Sequence, residues 1–115
     1  SCKGIIMKVL SKPEELVLLA IWKLKDDAYG VTIRKHIIRE TNQDWSVGAI
    51  YVPLNRLSKW GYINAILGEP TAERGGKRKK FYKLTHEGLK ALAHTKKVNE
   101  AMWDNITDLE LEKGY

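Results

Sequence analysis

A single thiol, Cys2, is all the cysteine in this chain of 115 residues. That excludes an internal disulfide and fits a reducing, cytoplasmic setting. His36, His86 and His94 stand at no i, i+4 spacing, and no CxxC or HExxH accompanies them, so no metal site is expected. The one glycine-rich segment lacks the Gly-Lys-Ser/Thr ending of a phosphate-binding loop, and no nucleophile–base pattern points to catalysis. The chain is therefore expected not to be an enzyme and to need no cofactor. No apolar run approaches the ~20 residues of a membrane helix. The early run IIMKVL is too short for a secretion signal and has no small-residue cleavage site.

What is present suits one globular domain with a modest core: 43% of residues are apolar and 30% charged. The formal charge of +6 is unevenly spread, at +1 over residues 1–30, +3 over 31–60, +6 over 61–99 and −4 over 100–115. Such a basic concentration beside an acid-free helix face points to a polyanionic partner; a merely solvated charge run is the plain alternative.

The stretch from Ser46 to Leu84 organises the chain. SVGAIYVPLNRLSKW predicts a helix capped by Ser46, with Val47, Ile50, Leu54 and Leu57 as its buried stripe. Gly48, Ala49, Tyr51, Val52, Asn55, Arg56 and Lys59 lie opposite. Small residues at the helix start allow close approach to a ligand, and free amides there favour phosphate. Asn55 and Arg56 suit base edges, Tyr51 and Lys59 phosphate contact. Pro53 predicts a kink or a tight start, and Gly61 a stop. YINAIL and KKFYKL then predict two strands of a hairpin, with Tyr82 and Leu84 facing inward. Between them Gly75, Gly76, Lys77, Arg78, Lys79 and Lys80 form a basic loop fit to lie against sugar and phosphate. A helix followed by a basic hairpin is the layout of a winged helix.

Upstream, Ser11 and Glu14 predict a capping box for a helix reaching about Lys25. Its apolar middle, LVLLAIW, calls for packing on two sides. Asp26 to Gly30 predicts a turn, and VTIRKHIIRET a second helix with Ile33 and Ile37 inward and Arg34, Lys35 and Arg39 outward. Residues 1–10 predict an arm or lead-in. Downstream, Thr85 caps a last helix expected to run from His86 to about Lys113, ~40 Å at 1.5 Å per residue. A compact domain of this size spans only ~25 Å, so the far half overhangs. A second copy of the chain would cover it together with the first helix, through Leu18, Ile21, Trp22, Met102, Trp103, Ile106 and Leu109. The fold class expected is α+β, mainly helical: a winged helix-turn-helix DNA-binding domain over residues 1–84 and a long C-terminal dimerisation helix over 85–115.

Three blocks, YGVTI, SVGAIYVPLNRLSKWGYI and GGKRKKFYKLTHEG, lie in order between Tyr29 and Gly88. Together they resemble the signature of PadR-like transcriptional regulators, which also often carry proline where Pro53 stands. Trp45 and Trp60 depart from it, standing where polar residues are commoner. The resemblance implies a homodimeric repressor of double-stranded DNA, often relieved by phenolic or other aromatic compounds, and adds Tyr29, at the opening of the second helix, to the DNA-facing set. A single C-terminal helix implies the short subgroup, in which some dimers enclose a pore between their C-terminal helices where a tryptophan from each stacks on flat cationic drugs. Trp103 resembles that tryptophan, and Trp22 suits a pocket wall or a seam; a ligand-free interface is the bland reading of both. Two other functions stay open: a protein-docking winged helix and a non-specific architectural DNA binder.

Overall fold

The computed structural model describes residues 8–70 and 78–114. Helix α1 (Lys12–Leu24) starts at its expected cap. Ser11 Oγ accepts from the Glu14 amide at 3.4 Å, and Glu14 Oε1 accepts from the Ser11 amide at 2.9 Å. These reciprocal bonds satisfy donors that helix geometry otherwise leaves free. Val17, Leu18, Ala20 and Ile21 are buried along a broad inner arc, because α1 packs against two further helices, the hairpin and the C-terminal helix. Leu18 and Ile21, expected on a dimer seam, are 0% and 2% exposed. They belong to the protomer's own core, and the apolar residues α1 turns outward are Leu19 and Trp22.

A 3-10 turn (Lys25–Asp27) follows, then α2 (Gly30–Thr41), on which Ile33 and Ile37 are buried as expected. The connection between α1 and α2 is more than a turn. Ala28 carbonyl accepts from the Tyr82 amide at 2.8 Å, and Tyr29 bridges Phe81 in antiparallel fashion. The base of the hairpin is thereby fastened to the start of α2.

A second 3-10 turn (Gly48–Ile50) runs into α3 (Tyr51–Lys59). Ile50, Leu54 and Leu57 form the buried stripe, but Val47 is 64% exposed. The α-helix does not begin at Ser46, so Val47 precedes a tighter turn and falls out of the helical phase that would have put it inside. Pro53 is the third residue of α3, where the amide its ring removes had no intrahelical acceptor to lose. The tight start is observed.

Strands β1 (Ile63–Pro70) and β2 (Arg78–Leu84) pair antiparallel, with Ile63 opposite Leu84 and Ala65 opposite Tyr82. Ile63 and Tyr82 close the core from below. Helix α4 (His86–Trp103) is capped by Thr85, whose Oγ1 accepts from the Gly88 amide at 3.1 Å and donates to the Gly61 carbonyl at 2.6 Å. Its first turn rests so closely on the hairpin that a Cβ on Gly88 would overlap the Tyr62 carbonyl. Further along, Thr95 Oγ1 accepts from the buried Leu10 amide at 3.0 Å, and Asn99 donates to the Glu15 carboxylate.

The single terminal helix is not observed. The chain leaves α4 at Trp103, Asn105 adopts a left-handed φ of 67°, and a separate short α5 (Asp108–Lys113) follows. Thr107 and Glu110 form a second capping box, with the Glu110 amide 3.1 Å from Thr107 Oγ1. That box satisfies the donors of a new helix start locally, and it overrides the apolar spacing that suggested continuity. Met102, Trp103, Ile106, Leu109 and Leu111 are 47–74% exposed. The Cα radius of gyration is 16.7 Å, against about 13 Å for a compact domain of 100 residues, as a projecting C-terminal segment requires. Among the described residues no helix is long and apolar enough to cross a membrane, and no cluster of metal-ligating side chains occurs.

Candidate nucleic-acid interface

Helix α3 is held from three sides. Its leading turn is fixed by Ser46, whose Oγ accepts from the Ala49 amide at 3.1 Å, and by Arg34, whose Nε donates to the Trp45 carbonyl at 2.7 Å. The buried stripe anchors it to α1 and α2. Outside lie Gly48 and Ala49 at the start, then Tyr51, Val52, Asn55, Arg56, Ser58 and Lys59. No acid occurs between Asp44 and Glu69, so this face carries only neutral and cationic groups.

Arg56 is placed differently from Asn55. Its guanidinium lies 3.4 Å from Glu14 Oε2, and the Glu14 side chain is 5% exposed. Successive helix residues are 100° apart, so Asn55 and Lys59 occupy the outward centre while Arg56 sits on the flank over α1. Its side chain is still 56% exposed, so Arg56 remains on the outer half of the helix beside Asn55. It ties α3 to the N-terminal cap of α1.

In the wing, Arg78 and Lys80 project into solvent. Lys79 folds back, with Nζ 3.3 Å from the Tyr29 hydroxyl and 4.4 Å from the ring centroid. Tyr29 in turn meets Phe81 edge to face at 5.3 Å, so an aromatic pair carries the cation. Lys83 is committed elsewhere: its ammonium is 2.9 Å from Asp26, and this hydrogen bond, then its charge, holds the Asp26 carboxyl below its ordinary value of 3.8. Gly75, Gly76 and Lys77 lie outside the described residues.

Where α2, α3 and the wing meet, a cleft of about 110 Å³ opens between Tyr29, Gly30, Val31, Tyr51, Tyr82 and the run Arg78 to Lys80. Among the described residues no carboxylate lines it. Gly30 lets the Tyr51 hydroxyl lie close against the start of α2; a Cβ there would oblige that exposed side chain to shift. Tyr82 was legible in the sequence only as an inward residue of a strand. That its ring ends at this cleft follows from the pairing of Ala28 with β2, which leaves no local signal.

A separate, largely apolar groove of about 460 Å³ between α1 and α4 is lined by Leu19, Trp22, Leu89, Leu92 and Ala93, with Glu15 and Lys96 at its rim. Lys25 Nζ sits 4.1 Å from the Trp22 ring. Trp103 does not line this groove, so the two tryptophans expected at an effector site are not brought together within one protomer.

A model of the transcriptional regulator PadR-like family matches residues 18–94, more than half of the chain. No curated protein matches it significantly. Among solved structures, a PadR family transcription regulator from hypervirulent Clostridium difficile R20291 is 25% identical with a TM-score of 0.63, covering 91% of this chain and 100% of the other. A transcriptional regulator from Clostridium thermocellum is 27% identical with a TM-score of 0.68, covering 81% and 87%. A PadR-like transcriptional regulator from Bacillus cereus is 26% identical with a TM-score of 0.62, covering 77% and 81%.

Proposed function

The chain belongs to the PadR-like family of transcriptional regulators, DNA-binding proteins and not enzymes, and from that membership we propose that it is a homodimeric, sequence-specific repressor. The observation that carries this reading is the acid-free outward face of α3 beside the cationic wing. Asn55 specifies sequence from the centre of that face, with Tyr51 at its edge; Ser46, Gly48 and Ala49 bring the helix start close to the backbone. Lys59, Arg78, Lys79 and Lys80, with the neighbouring Gly75, Gly76 and Lys77, supply phosphate contacts. Arg56 acts from the flank and Tyr29 through Lys79.

The second chain covers what one protomer leaves bare: Leu19, Trp22 and Leu89 on the α1–α4 groove, and Met102, Trp103, Ile106 and Leu109 beyond it. Two copies related by a twofold axis place their α3 helices on half-sites about 34 Å apart along one DNA face. A planar aromatic effector fits this seam, between Trp22 and the partner's apolar surface or against Trp103. Its binding would change the separation of the two α3 helices and release the operator.

Gel shift with genomic fragments at ~0.15 M salt tests the main reading: retention of a discrete subset supports it, retention of everything alike favours an architectural binder, and retention of nothing favours a docking module. Asn55→Ala should cost about 1–3 kcal/mol of discrimination at the bases it reads. Lys79→Ala should weaken specific and random DNA equally and reduce the salt slope by about 1. Sedimentation at micromolar concentration tests the dimer, and a single-chain species there removes the half-site geometry. Tryptophan fluorescence titrated with a panel of planar aromatics tests the effector; no quenching by any of them counts against it.

A further inference from the structure

The cleft between the start of α2 and the base of the wing holds a hydroxyl that the fold does not explain. Tyr82 is 6% exposed and its ring lines the cleft, yet among the described residues its hydroxyl has no hydrogen-bond partner. A buried phenol without a partner carries a desolvation cost of the kind native structures rarely leave unmatched. Burial, and after it the neighbouring Tyr51, pushes the Tyr82 phenol above its ordinary value of 10.0.

The other groups at the cleft are donors as well. Gly30 and Val31 open a twelve-residue helix, so their amides have no intrahelical acceptor, and the positive end of the helix dipole faces out there. Tyr29 gives α2 no side-chain cap, and Thr32 Oγ1 accepts from the Tyr29 amide at 3.0 Å, leaving the next amides uncapped. Lys79 is held at the rim by the Tyr29 ring. The Tyr51 hydroxyl lies against Gly30. With a volume of about 110 Å³, the cleft has room for one tetrahedral oxyanion and too little for a base or a sugar.

We propose that this cleft seats a single phosphodiester of bound duplex DNA, with the Tyr82 and Tyr51 hydroxyls and the first amides of α2 as its donors. The inference rests on the DNA-binding reading above and deepens it: the two phenol hydroxyls, not only the wing cations, set how far the wing stands from α3 on the backbone. Tyr82 is in this sense a positioning residue for the wing as well as a donor to phosphate.

The test uses the whole chain and duplexes recovered from random-sequence DNA by selection. Tyr82→Phe removes only the hydroxyl. It should lower affinity for recovered and unselected duplexes alike by about tenfold, the loss expected for one hydrogen bond to a charged acceptor. The slope of log affinity against log salt should stay at the wild-type value, because no cation is removed; Lys79→Ala should flatten it. Tyr51→Phe, at an exposed residue, repeats the affinity loss without any change to the core. The Gly30 and Val31 amide NMR signals should move on adding duplex and stay in place with millimolar inorganic phosphate. Wild-type affinity in both phenylalanine variants overturns the proposal while leaving the regulator reading intact. An equal shift of the two amides with inorganic phosphate alone overturns DNA as the source of the oxyanion. A wild-type chain that retains no duplex overturns both readings together.

Discussion

Helices α1 and α5 open with the same local device, a hydroxyl residue followed three positions later by glutamate, and their fates differ. The Ser11–Glu14 box begins a helix with four apolar residues sealed in the core. The Thr107–Glu110 box begins a six-residue helix with no buried residue at all. Capping thus decides where a helix starts, while tertiary burial decides whether it is held. Among the described residues the paired strands and α1–α4 pack on one another, while the segment beyond Trp103 presents exposed apolar side chains.

The sharpest way to break that contrast is to cut equal side chains on each side of it. Leu54→Ala, at a fully buried site of α3, should cost about 2–5 kcal/mol in a denaturant melt. Leu109→Ala in α5 should leave the melt of dissociated chains within about 0.5 kcal/mol of wild type and raise the dimer dissociation constant about tenfold. If both variants lose the same stability at every protein concentration, α5 is packed in its own chain and the contrast is wrong.

The glutamates of the two boxes come next. Glu14→Ala loses a cap and leaves Arg56 without its buried partner, and should cost about 2 kcal/mol. Loosened α3 would also show as faster amide exchange at Leu57 and Ser58. Glu110→Ala should cost about 0.5 kcal/mol, confined to exchange rates of residues 110–114. At the other half of the same box, Thr107→Ala should likewise weaken α5 by about 0.5 kcal/mol locally without a change in the global transition midpoint.

The smallest expected effect is at the wing base. The folded Asp26 carboxyl lies below its ordinary value of 3.8 because of Lys83. Its contribution is therefore complete above the unfolded value and lost as pH falls through the lower folded one. Carboxyl ¹³C titration of Asp26 should show the depressed midpoint, and Lys83→Ala should restore it. Stability between pH 5 and pH 8 should not respond to this pair.

Much of the winged helix was legible because its signals are local. Ser11-x-x-Glu14 marked the start of α1, Ile33 and Ile37 the inner side of α2, and the Ile-, Leu- and Tyr-bearing runs the hairpin. The errors arose where a local period met a tertiary constraint. The apolar run of α1 shows no stripe in sequence, so only packing could separate Leu18 and Ile21, which are inside, from Leu19 and Trp22, which are not. Apolar spacing across Met102, Ile106 and Leu109 suggested one helix, though Thr107-x-x-Glu110 carried the contrary signal within it. The link between Arg56 and Glu14, 42 residues apart, and the third-strand contact of Ala28 have no sequence signature at all. The placement of Asn55 and Lys59 on the outward side of α3 followed from spacing alone, whereas the cleft at Tyr82 needed three elements to be brought together.

The bend between Trp103 and Asp108 also changes what small edits to the chain can do. Inside an unbroken helix, removing one residue turns everything downstream by 100° and would send an apolar ridge to the wrong side. Across an irregular linker the same edit alters only the aim of the last helix and leaves its own phase untouched. Such a joint uncouples length from rotation, so the reach of the terminal segment can drift over generations while the body of the protein keeps its register.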